Sequence, residues 1–233
     1  AAYESGTTPR PRNLFSHNDQ QSTWQAHAPE GASVGWGGRL GDILGSNVFN
    51  LLLIFLTDVV YVGEFRHIKG ADLLIDAVAR LREGGRRLTL TLAGDGEETD
   101  ALKAQVQRLN LGESIRFIGP VKARHGFSKG RLLVVPSRGD SMPYVVIEAA
   151  AAGVPMIAAN VGGIPEIFDQ HTGALFAPGA VTALADAIAT ALDDPAAAAA
   201  RAKSLRERIL KHFSQTAMVE GVMAGYRETF ARS

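Results

Sequence analysis

The chain has 233 residues, enough for one large domain or two small ones with a proper buried core. It is 46% hydrophobic and 21% charged, and its 24 basic residues cancel its 24 acidic ones, which excludes an overall field that draws nucleic acid or an anionic membrane. The absence of cysteine excludes disulfides, thiolate zinc sites and cysteine nucleophiles together, and fits a reducing compartment such as the cytoplasm.

Residues 1–42 are polar, Gly-rich and aperiodic, and predict an irregular extension with no domain of its own. The opening AAYESGTTPRPRN lacks a basic stretch followed by an apolar core, so it is not a secretory signal, and the missing initiator Met suggests a fragment or a processed product. An apolar segment, ILGSNVFNLLLIFLTD, follows at 43–58, interrupted by Ser46, Asn47, Asn50 and Asp58. Together with the next few residues it approaches the roughly 20 apolar residues needed to cross a bilayer.

From residue 59 to 233 strand and helix signals alternate. VVYVG (59–63) predicts a strand, and Leu73, Leu74, Ala77, Val78 and Leu81 then share one helical face. LTLTLAG (88–94) predicts the second strand, Leu102, Val106 and Leu109 the second helix, IRFIG (115–119) the third strand and RLLVVPS (131–137) the fourth. A short helix over 144–152 stops at Gly153, VPMIAAN (154–160) is the fifth strand, and GALFAP (173–178) an edge strand. Ala-rich helices over 180–193 and 195–211 are split at Pro195, and a last helix spans 215–230. The alternation predicts an α/β, doubly wound parallel sheet, in which ligands bind beyond the carboxyl ends of the strands.

The chemistry concentrates in PSRGDSMPYVVIEAAAAGVPMIAANVGGIPEI, residues 136–167. Asp140 precedes a helix that Pro143 is suited to begin, and Glu148 lies within that helix. The free amides around 141–145 and the helix macrodipole favour an anion or hydroxyl oxygens between the two acids. The Arg-Gly-Asp at 138–140 reads as a chance tripeptide, and His125 and His171 as surface or loop residues.

With its two acids, the Ala-rich helix, the Val154-Pro155 strand and the turn Gly162-Gly163-Ile164-Pro165-Glu166, this segment resembles the signature of glycosyltransferase family four, retaining enzymes of GT-B fold. VYVGEFRHIKGADLL (60–74), AGDGEE (93–98) and RFIGPV (116–121) resemble that family's phosphate loop, second loop and base-side loop. The resemblance implies a single Rossmann-like donor domain over 59–233, binding a nucleotide-diphosphate sugar. It further implies no metal or cofactor, an acceptor-binding domain on another chain, and work in polysaccharide or glycolipid assembly at the inner membrane. By resemblance, Lys69 neutralises the diphosphate, and Asp140 with Ser141, Met142 and Pro143 holds the sugar. Glu148 takes the ribose hydroxyls, Arg116 to Gly119 flank the base, and Gly63 and Gly94 shape the loops. Asp140 and Glu148 are the implied catalytic pair. Three positions depart from the family pattern. Asp140 replaces a Glu, Met142 an aromatic, and Glu64 an Arg, for which either Arg66 substitutes or Glu64 points away.

Two further resemblances sit in the first 58 residues. LFSHNDQQSTWQ and GWGGRLGD (14–25 and 35–42) resemble a bacterial family related to alkaline phosphatases and sulfatases, and 41–58 resembles a sodium/calcium exchanger α-repeat. Their simplest account is a chimeric chain. The rival functions are a transporter fragment, or a folded domain without activity.

Overall fold

Runs rich in Val, Leu, Ile and Ala, bounded by Gly and Pro, make strands that tolerate burial on both faces, the condition for a sheet covered by helices on each side. The computed structural model describes residues 57–169 and 172–231, and in these the runs form one six-stranded sheet. The strands are β1 (Thr57–Val62), β2 (Leu90–Ala93), β3 (Ile115–Gly119), β4 (Gly130–Val135), β5 (Met156–Ala159) and β6 (Leu175–Phe176). Their order is β3-β2-β1-β4-β5-β6, and every pairing is parallel. In the centre the register sets Val59 beside Leu90 on one flank and Leu132 on the other. All of β2 and β5 is buried, as is β4 from Leu132 onward.

The helices are α1 (Ala71–Glu83), α2 (Thr99–Arg108), α3 (Ala123–Phe127), α4 (Tyr144–Ala152), α5 (Ile164–Phe168), α6 (Val181–Asp193), α7 (Pro195–His212) and α8 (Gln215–Ala231). Helix α1 buries Leu73, Leu74, Ala77 and Val78 as the spacing predicts, and adds Ile75. Each large apolar side chain removed from water contributes about 2 kcal/mol. Pro195 opens α7 in its first turn, and the Asp194 carboxylate caps it by accepting from the Ala197 amide at 2.9 Å. Gly153 closes α4 as expected.

Two boundaries shift. Strand β1 starts at Thr57, two residues inside the apolar segment 43–58 and ahead of the expected start at 59. Thr57 Oγ1 donates to the Lys129 carbonyl at 2.7 Å, and Asp58 Oδ2 accepts from the Thr89 amide at 2.9 Å and pairs with Arg131, so both residues belong to the sheet. Helix α8, at the place of the last expected helix, buries none of its residues, and Met218 (64% exposed), Val222, Met223, Tyr226 and Phe230 (76%) face outward. No helix among the described residues is long and apolar enough to cross a membrane. The segments resembling a phosphatase relative and an exchanger repeat lie outside the described residues up to residue 56, and so does His171.

Candidate functional site

In a sheet of this order the chain leaves β1 toward one side and β4 toward the other, so a crevice opens between the carboxyl ends of these neighbours. Two loops flank the crevice. The first runs from Gly63 through a 3-10 turn at His67–Lys69 to Gly70, which starts α1. The second runs from Pro136 to Pro143, which precedes α4.

The loops touch backbone to backbone. Gly70 holds φ +73, and a Cβ there would sit 2.1 Å from the Pro136 carbonyl oxygen, so only glycine lets Lys69 approach the β4 loop. From the far side Gly162 (φ +53) presses on the Asp140 carbonyl, where a Cβ would lie 1.7 Å from the oxygen, and the Gly163 amide donates to that same carbonyl at 3.3 Å. Gly94 lies against the Gly63 carbonyl, with 1.8 Å for an added Cβ.

This packing brings together two of the residues singled out in the sequence. Lys69 Nζ donates to Asp140 Oδ2 at 2.6 Å, and their side chains are 33% and 11% exposed. The pair stands at the approach to α4, four residues before its first helical residue, Tyr144. Pro143 takes the cap position instead of the first helical one, and its carbonyl accepts from the Val146 amide at 3.0 Å. The amides of Ser141, Met142, Tyr144 and Val145 have no backbone acceptor among the described residues, which leaves the positive end of the macrodipole open. Ser141 and Met142 are exposed. Glu148 is exposed in mid-helix, one turn beyond Tyr144.

The other expected positions divide. Gly63, Gly94 and Gly119 all lie at the carboxyl edge. Arg116 does not, because the segment read as a base-side loop is strand β3 and Arg116 is its second residue, paired in register with Thr91. At about 3.3 Å per residue its backbone lies roughly 10 Å short of Gly119. Arg66 is half-exposed between two acids, 3.9 Å from Glu64 and 3.7 Å from Glu97. Glu64 points outward, the second of the two outcomes considered for it.

Sequence reasoning missed the residue that ties the two loops. Arg138 donates through Nη1 to Asp72 Oδ1 at 2.8 Å and through Nη2 to Asp72 Oδ2 at 2.5 Å, and Nη1 also reaches the His67 carbonyl at 2.6 Å. Burial alone would raise the pKa of Asp72, but the hydrogen bonds and charge of Arg138 outweigh it and hold the carboxyl below its ordinary value. The same pairing raises that of Arg138. Tyr61 is buried beneath the Gly63 loop and donates to the Glu64 carbonyl at 2.8 Å, and burial first, then the negative field of Glu64, Asp72, Asp140 and Glu98, push the pKa of its phenol far up. One group of three, His67, Asp72 and Glu98, brings ligand atoms within 4.8 Å of one another, but Asp72 is already engaged by Arg138.

A six-stranded parallel sheet in this order, flanked by helices, defines a Rossmann-like domain of GT-B type. Residues 57–194, well over half of the chain, match the model of the family described as glycosyl transferases group 1, and the chain belongs to that family. It is 36% identical over 160 residues to glycogen synthase of Mycobacterium tuberculosis, covering 67% of this chain and 39% of that one. Among solved structures it resembles sucrose-phosphate synthase from Thermosynechococcus elongatus, with TM-score 0.64 and 33% identity over 75% of this chain and 46% of the other. The fold also matches Anabaena HepE, solved in complex with UDP-glucose, with TM-score 0.66, 24% identity and coverage of 77% and 51%. The chain thus spans about half the length of these relatives or less.

Proposed function

We propose that this domain binds a nucleotide-diphosphate sugar as the donor half of a retaining glycosyltransferase. The observation that carries the reading is the Lys69–Asp140 pair at the crevice between β1 and β4, beside the unclaimed amides at the start of α4. The diphosphate takes a further donor of the ammonium, since Lys69 has three and gives one to Asp140. Asp140 accepts from a hydroxyl of the transferred sugar, and Glu148 from the ribose hydroxyls. As the anomeric carbon–oxygen bond breaks, the electron pair moves onto the diphosphate, where Lys69 and the α4 dipole stabilise it while the sugar carries positive charge. The bond that forms joins the anomeric carbon to an acceptor hydroxyl oxygen of a glycan or lipid, and the hydroxyl proton passes to the departing diphosphate. Recognition of that acceptor belongs to a domain outside the described residues. The solved relative that holds UDP-glucose supports a nucleotide-sugar donor. The transporter reading finds no support among the described residues, none of whose helices is long and apolar enough to cross a membrane.

The experiment is a thermal-shift panel of UDP, ADP, GDP and dTDP on the intact chain. A ligand at a hundred times its Kd adds about 2.7 kcal/mol. At least one nucleoside diphosphate is expected to raise Tm by several degrees, while the corresponding nucleosides leave it unchanged. A flat response to the whole panel refutes the proposal.

A further inference from the structure

The tripeptide Arg138-Gly139-Asp140 serves the site. Arg138 lies two residues before Asp140 on the β4 loop, yet its bonds run to the β1 loop on both sides of Lys69. On the chain side before Lys69, its Nη1 takes the His67 carbonyl at 2.6 Å and its backbone amide takes the Ile68 carbonyl at 2.8 Å. Beyond Lys69, its guanidinium forks onto both oxygens of Asp72, in the first turn of α1. Lys69 and Gly70 therefore bridge two points that one arginine holds. Gly139 adds contact to the same seam, for a Cβ there would lie 3.1 Å from Ile68 Cδ1.

We propose that Arg138 is a positioning residue for donor binding, a role that rests on the nucleotide-sugar reading above. It fixes the distance between the loop that carries Lys69 and the loop that carries Asp140, and so presents the ammonium to the diphosphate in one place. Its fork is turned onto Asp72 and the His67 carbonyl, so its effect on the phosphates runs through the placement of Lys69. A planar, five-donor guanidinium is needed for this, and a lysine cannot reproduce the fork. Small displacements of a binding group are costly, reaching about a hundredfold for roughly 1 Å in reactive geometries.

The test is a double-mutant cycle read by UDP affinity, with ADP and GDP measured beside it, using Arg138→Met, Arg138→Lys, Lys69→Ala and the Met/Ala double variant. Arg138→Met and Arg138→Lys are each expected to weaken binding about tenfold, equivalent to about 1.4 kcal/mol. In the Lys69→Ala background the arginine change should then alter affinity by less than about twofold, the scatter of independent sites. General damage to the domain predicts equal losses in both backgrounds, and that result overturns the proposal. So does an Arg138→Lys variant that binds like the wild type, which also serves if the Met variant fails to fold. A silent Lys69→Ala variant sinks the nucleotide reading itself, and this inference with it. Loss at Lys69 without coupling to Arg138 sinks only the positioning role.

Discussion

Lys69→Ala is expected to weaken nucleoside diphosphate binding about ten- to a hundredfold while leaving the melting temperature of the free domain within a few degrees. The loss is that of a charge-assisted hydrogen bond to phosphate, about 1.5–3 kcal/mol. The small effect on stability follows from the exposure of the lysine, one-third open to solvent, and from the modest net value of such pairs. Asp140 is more enclosed and loses the Lys69 ammonium that it accepts from at 2.6 Å, so the free variant is expected to show a somewhat more mobile β4 loop. Calorimetric titration of wild type and variant with UDP checks the first part, and a thermal melt without ligand checks the second. A variant that binds as tightly as the wild type contradicts the assignment of Lys69.

The largest stability effect falls on Gly162→Ala. The position holds φ +53, which costs an L-residue about 1–2 kcal/mol, and the new Cβ would meet the Asp140 carbonyl oxygen at 1.7 Å. Overpacking of this kind adds about 1–3 kcal/mol, and the obstacle is backbone, which cannot rotate aside. The variant should therefore lose about 2–5 kcal/mol in urea unfolding and, because the yielding segment carries Asp140, bind nucleotide more weakly as well. Gly173→Ala provides the control, since a Cβ there meets nothing within 4 Å. Equal stability of Gly162→Ala and wild type would show that the β5–α5 turn does not brace the Asp140 loop.

The sheet was legible in the sequence because its central strands are short β-rich runs, apolar in β1 and β4 and alternating Leu-Thr in β2, and because each is followed by Gly or Pro at the turn. Helix α4 and its stop at Gly153 were legible for similar local reasons. Helices α3 and α5 were not, since five residues cannot display a helical period. Thr57 and Asp58 were hidden at the end of an apolar run, and their sheet role shows only in contacts with Lys129, Thr89 and Arg131. At the site, the residue types at 69, 140 and 148 carried a readable resemblance, but the 71-residue separation of Lys69 and Asp140 concealed that they meet. Arg138 was passed over for the same reason. Its partners lie 66 and 71 residues away, and an arginine in a loop has no local signature of a clamp. Arg116 illustrates the reverse case, because a motif placed it near the base while strand β3 holds it back from the carboxyl edge.

The central claim is that a diphosphate sits at the crevice between β1 and β4, against the start of α4. A ¹⁵N-resolved NMR titration of the whole chain with UDP tests this most directly, because each backbone amide reports its own surroundings. The account predicts that the largest shifts fall on residues 63–70 and on the amides of Ser141, Met142, Tyr144 and Val145, and that they are lost in Lys69→Ala. Saturable shifts centred on the opposite edge of the sheet, with those amides unmoved, would contradict it.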